Sequence, residues 1–81
     1  MTRAKFLHIL IDKVMIKQSS FKVENSNQYI ILRISRCRLL SYIELLHWVD
    51  NGLKKQFFIK NKLLEDEQIQ KEVITYIENI K

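Results

Sequence analysis

"LSYIELLHWVDNG", residues 40–52, decides how the elements of this chain are ordered. Ser41 and Glu44 stand at the spacing of a capping box. In that motif a serine hydroxyl accepts from the amide three residues on, and the glutamate side chain reaches back to the serine amide. Leu40 and Leu45 occupy the hydrophobic-staple positions around it. Asp50-Asn51-Gly52 supplies a stop, with the chain's only glycine placed where a left-handed C-terminal cap favours it. The stretch reads as a helix. On it, Trp48 is expected in the core and His47 at a partly exposed position.

Upstream, "SFKVENSNQYIILRISRCR" (20–38) has the marks of a β-hairpin: a short run around Phe21 and Val23, the polar turn "ENSNQ", and a β-branched run from Tyr29 to Ile34. Ile30, Leu32 and Ile34 make one parity apolar until Arg36. Ile31, Arg33, Ser35 and Cys37 make the other, which turns polar after its first member, as a half-exposed antiparallel face does. Further upstream, "RAKFLHILIDKVMI" (3–16) places Ala4, Leu7, Ile11 and Val14 on one helical stripe, widened by Leu10 and Met15, with Thr2 as N-cap. The same residues alternate tolerably as a strand; helix is the reading adopted.

Downstream, "KKQFFIKNK" (54–62) reads as a short strand whose lysines suit an exposed edge. "LLEDEQIQKEVITYIENIK" (63–81) spaces Ile69, Val73, Ile77 and Ile80 by four, four and three, an amphipathic helix. Glu65, Asp66 and Glu67 near its start and Lys81 at its end match the helix dipole. The order expected is roughly α-β-β-α-β-α. That pattern defines a small single α+β domain over residues 1–81, with an antiparallel sheet of about three strands and helices packed on one face.

With 81 residues, 47% hydrophobic and 28% charged, the chain has globular proportions. A domain of this size buries only about 60% of its unfolded surface, so its stability margin is thin. Cys37 has no second thiol for a disulfide or a zinc knuckle, which favours an intracellular, soluble setting in cytoplasm or organelle matrix. The apolar run "FLHIL-I" is too short for a membrane span, and no membrane partner is expected.

Charge singles out a surface. Residues 1–40 hold eight Lys/Arg against two acids, a net +6; residues 41–81 hold six against seven, a net −1. Arg33, Arg36 and Arg38 cluster on or just after one strand, and Lys54, Lys55, Lys60 and Lys62 flank the second apolar run. If those strands are neighbours, seven cations line one phosphate-binding surface, with Tyr29, Phe57 or Phe58 available to stack on bases. Solvation and edge protection are the competing account of the same charges. The leading expectation is a small basic, non-catalytic protein that binds DNA or RNA or joins a ribonucleoprotein. The alternative is an interaction module meeting an acidic protein surface, as a homodimer or as a subunit of a larger assembly.

Catalysis has little to build on. His8 and Asp12 lie four apart, but zinc needs three or four ligands and none lies at a matching spacing. Cys37 between Arg36 and Arg38 has no base brought to it. Glycine-rich phosphate loops and paired catalytic carboxylates are missing, so no catalytic residue, metal or cofactor is assigned.

Phe6-Leu7-His8-Ile9-Leu10-Ile11-Asp12, followed by two strands and a helix, resembles the first half of a LAGLIDADG homing endonuclease repeat, whose helix carries a motif of the type "FLAGLIDADG". "NQYIILRISRCRLLSYIELLHWVD" (27–50) is similar to that family's strand and helix. His8 and Ile9 stand where the family has small residues, and Val14 and Met15 replace its second acid and its glycine. The resemblance implies a DNA-facing sheet with a lost cleavage site, a degenerate nuclease in which Asp12 is the remaining candidate metal ligand.

Overall fold

Alternation, not helical spacing, governs residues 42–49. Ile43, Leu45 and His47 on one parity are buried, and the stretch is the central strand of a sheet. The computed structural model describes residues 1–20, 28–35 and 42–80. Its elements are α1 (Arg3–Ser20), β1 (Gln28–Ser35), β2 (Tyr42–Val49), β3 (Gly52–Lys60), a 3-10 turn (Asn61–Leu63) and α2 (Glu67–Glu78). The α+β class and the three-stranded antiparallel sheet are as the sequence reads. Residues 42–49 form a strand where a helix was expected, so the described elements run α-β-β-β-α, and the expected strand around Phe21 and Val23 falls outside the described residues.

The reason lies in what the cap signals do instead. Glu44 accepts from Gln56 Nε2 at 2.6 Å and stands 3.7 Å from Arg33, so its carboxylate is used across strands. Asp50 and Asn51 adopt left-handed backbone, φ 51° and 65°, and Val49 pairs with Gly52. Two successive left-handed residues are the type I′ geometry that matches strand twist, and Asp and Asn tolerate it better than most residues. "DNG" is therefore a hairpin turn. Ser41, the proposed capping residue, lies outside the described residues, as do Phe21, Val23, the "ENSNQ" turn through Asn27, Arg36, Cys37, Arg38 and Lys81.

One sheet face carries the core. Ile30, Ile43, Leu45 and Ile59 pack against Phe6, Leu10 and Val14 of α1, Val73 and Ile77 of α2, and Leu64 and Ile80 beside it. The buried stripe of α1 is Phe6, Leu10 and Val14; Ala4 and Ile11 of the expected stripe are exposed and Leu7 is half-buried. The α2 stripe stands as spaced, with Val73, Ile77 and Ile80 buried and Ile69 packed beside them. Caps fix both helix starts. Thr2 Oγ1 accepts from the Lys5 amide at 3.3 Å, and the Asp66 carboxylate accepts from the amides of Gln68 and Ile69.

Gln70 is a buried polar residue of α2 that composition does not flag. Its Nε2 donates to the carbonyls of Leu64 and Met1, and its Oε1 accepts from the Met1 amino group at 3.2 Å. Satisfied in this way, it ties the N-terminus to α2 at little desolvation cost. No helix among the described residues is long and apolar enough to cross a membrane.

Candidate functional site

Because β side chains alternate, the strands that bury Ile30, Ile43, Leu45 and Ile59 turn the other parity outward. The outward set is Tyr29, Ile31 and Arg33 on β1, Tyr42, Glu44, Leu46 and Trp48 on β2, and Gln56, Phe58 and Lys60 on β3. Neither described helix packs on this face. It carries four aromatic rings in two cross-strand pairs. Tyr29 and Trp48 stack with centroids 6.1 Å apart and planes 8° apart, and Tyr42 meets Phe58 at 4.6 Å. Phe58 is 51% exposed and Tyr29 42%. Leu46 is buried between the pairs, and the Trp48 indole N–H is buried with no acceptor among the described residues.

The cations are divided between faces and edges. The strand order is β1-β2-β3, so Arg33 and the lysines of β3 are not neighbours; the central strand separates them. Arg33 is exposed on the open face beside Glu44, Lys60 shares that face, and Lys62 is exposed in the 3-10 turn. Lys54 and Lys55 go the other way. A bulge between His47 and Trp48 sets both opposite His47 on the helix-covered side, where the Lys55 ammonium lies 5.1 Å over the Phe57 ring. Phe57 is half-buried against Tyr76, with centroids 5.5 Å apart, and is no stacking platform. Of the residues singled out by sequence, Tyr29, Phe58, Arg33 and Lys60 share the open face, with Tyr29 at its Trp48 end and Lys60 at its Tyr42 end. Arg36 and Arg38 lie outside the described residues, one and three positions past the end of β1.

Tyr42 and Trp48 escape a helical reading of residues 41–50, which scatters them around an axis. The alternation Tyr42, Glu44, Leu46, Trp48 leading into "DNG" is the signal that finds them. The same change of period exchanges Trp48 with its neighbour: Trp48 lies on the open face, and His47, 3% exposed, enters the core. Burial, and then the nearby Lys54 charge, hold the His47 imidazole below its ordinary value of 6.5. In its neutral form Nδ1 accepts from the Tyr76 hydroxyl at 2.7 Å, and Nε2–H donates to Gln28 Oε1 at 3.3 Å.

His8 and Asp12 approach to 3.9 Å on an exposed face of α1. Among the described residues no three His, Cys, Asp or Glu side chains gather as a metal site. No protein-family model, curated protein or solved structure matches this chain.

Proposed function

We propose that this protein is a non-catalytic binder of single-stranded nucleic acid, using the open face of its sheet. The observation that carries the reading is the placement of Tyr29, Tyr42, Trp48 and Phe58 on that one face. Unpaired bases present flat faces to such rings, and each stacked base contributes about 1–3 kcal/mol. A duplex hides those faces within its own stack, so the platform favours single strands. Tyr42 and Trp48 stand six residues apart along β2, roughly 20 Å at strand rise, which is room for a few nucleotides. Arg33, Lys60 and Lys62 supply phosphate contacts at the Tyr42 end, and the net charge of +5 draws a polyanion in. An intracellular setting, where the Cys37 thiol stays reduced, goes with this reading.

Trp48 is the only tryptophan, so its emission reports on the face directly. Mixed-sequence DNA and RNA oligonucleotides, single- and double-stranded, are titrated against the protein over a salt series. Quenching by single strands is expected, with a log–log salt slope of about −2 for three phosphate contacts. Absence of binding at low ionic strength discards the proposal.

A second reading uses the same face for a protein. Arg33 is tied to Glu44, and the aliphatic side chains of Ile31, Leu46 and Leu53 accompany the rings, an apolar, nearly neutral composition that suits the centre of a protein interface. Self-association in sedimentation equilibrium, lost in Phe58→Ser, is the outcome that selects it.

A further inference from the structure

On the opposite side of the sheet, a cavity of about 290 Å³ opens between β1, the β3 bulge and the end of α2. Gln28, His47, Lys54, Tyr76, Asn79 and Ile80 line it. We propose that this cavity is a binding site for a small oxyanion, a carboxylate or phosphate on a compact body. Among the described residues its lining holds one cation and no acid. His47 is hydrogen-bonded by the Tyr76 hydroxyl and through Gln28 Oε1, and among the described residues the Gln28 Nε2 group has no acceptor for either N–H. The Asn79 side-chain amide likewise has no partner among the described residues. Donors therefore outnumber acceptors around the space.

The bulge is the device that builds the site. It places an extra residue opposite His47, and so brings the Lys54 side chain to the cavity instead of leaving it on the open face. Bulges re-aim side chains in this way and are common beside binding sites. A helix C-terminus ordinarily repels anions. Here its carbonyls are engaged: Thr75 and Tyr76 accept from the Asn79 amide, Ile77 accepts from the Ile80 amide, and Ile80 accepts from Lys17 Nζ at 3.0 Å. The buried His47, hydrogen-bonded at both ring nitrogens, forms one wall, and among the described lining residues Lys54 is the charge facing the space.

The test is a ¹⁵N NMR titration of the whole chain with inorganic phosphate in one arm and acetate in the other. Saturable shifts are expected at the amides of Lys54, Lys55 and Asn79 and at the His47 ring nitrogens, and the arm with the tighter curve identifies the anion class. Lys54→Met weakens binding about tenfold or more, the loss of one charge-assisted hydrogen bond. Lys71→Met, an exposed α2 substitution away from the cavity, leaves it unchanged. Because Lys54 is exposed, its variant keeps the rest of the spectrum in place and remains interpretable. Shifts that fail to saturate, or that weaken equally in Lys71→Met, overturn the proposal. The aromatic face lies on the other side of the sheet, so either result leaves the nucleic-acid reading to its own test.

Discussion

The Tyr76 hydroxyl oxygen lies 2.7 Å from His47 Nδ1, which joins α2 to the central strand through a neutral imidazole. Burial and Lys54 depress the His47 pKa in the folded chain, whereas in the unfolded chain it titrates near 6.5. Below that value the unfolded chain takes up a proton that the folded chain resists, so stability falls as pH drops. The stability from this group is fully present above about pH 7 and is lost as pH falls below the unfolded value. Urea denaturation of the wild type and of His47→Leu, compared from pH 8 to pH 5 (about the range over which an unfolded histidine titrates), checks this. The wild type is expected to lose stability more steeply than the variant on acidification, and parallel curves contradict it.

Phe6 is fully buried and Ile11, five residues on, is 42% exposed, although both belong to the apolar content of α1. Truncating a buried phenylalanine removes transfer free energy and leaves a cavity, so Phe6→Ala is expected to cost about 3–5 kcal/mol. Ile11→Ala is expected to cost about 1 kcal/mol or less, because most of what it removes is already in water. Chemical denaturation of the two variants reads the rotational setting of α1. Equal losses would mean that the helix faces the sheet through another stripe.

What could be read from the sequence depended on whether local chemistry or tertiary pairing decides a segment. In α2, the Asp66 cap and the Val73, Ile77, Ile80 spacing agree with the tertiary face, so the helix is legible from its own residues. Residues 29–34 and 54–60 alternate or carry β-formers and are also legible. Residues 42–49 are not, because Ser41-x-x-Glu44 and the flanking leucines imitate a helix start. What overrides that signal is non-local: β2 lies between two strands, burying Ile43 and Leu45 and engaging Glu44 on both sides. The phase of α1 is hidden for a related reason. Its apolar residues extend most of the way round the helix, and only the sheet selects the Phe6 sector. The site inherits both effects. Tyr29, Phe58, Arg33 and Lys60 follow from strand parity, whereas Tyr42 and Trp48 depend on recognising β2, and the course of Lys54 and Lys55 depends on a bulge with no strong sequence signature.

The turn separates the two readings of "DNG" by experiment. Asn51 has φ 65°, a conformation that costs a side chain bearing an ordinary Cβ about 1–2 kcal/mol, so Asn51→Ala is expected to destabilise by about 1 kcal/mol and Asn51→Gly to be neutral or mildly stabilising. Gly52 has no left-handed backbone, and a Cβ there meets only the Val49 carbonyl oxygen at 3.5 Å, an ordinary contact. Gly52→Ala is therefore expected to change stability by about 0.5 kcal/mol or less. A helix ending at this glycine would reverse the ranking, with Gly52→Ala the costly change. Thermal midpoints of the three variants decide between them.

Adjacent phenylalanines on β3 divide stability from binding. Phe57 is half-buried against Tyr76 and the core, so Phe57→Ala is expected to cost about 2 kcal/mol or more of folding free energy. Phe58 is 51% exposed against Tyr42 on the open face; losing that ring pair costs about 1 kcal/mol, which leaves the domain folded. In binding the order inverts. Phe58→Ala removes one stacking position and is expected to weaken single-stranded oligonucleotide binding about tenfold, within the range of one stacked base. Phe57→Ala leaves that affinity unchanged wherever the protein remains folded, because its ring faces the helices. Paired measurements of denaturation and Trp48 quenching on both variants supply the check. If Phe58→Ala binds like the wild type, the rings of the open face do not hold bases, and the protein-interface reading takes precedence.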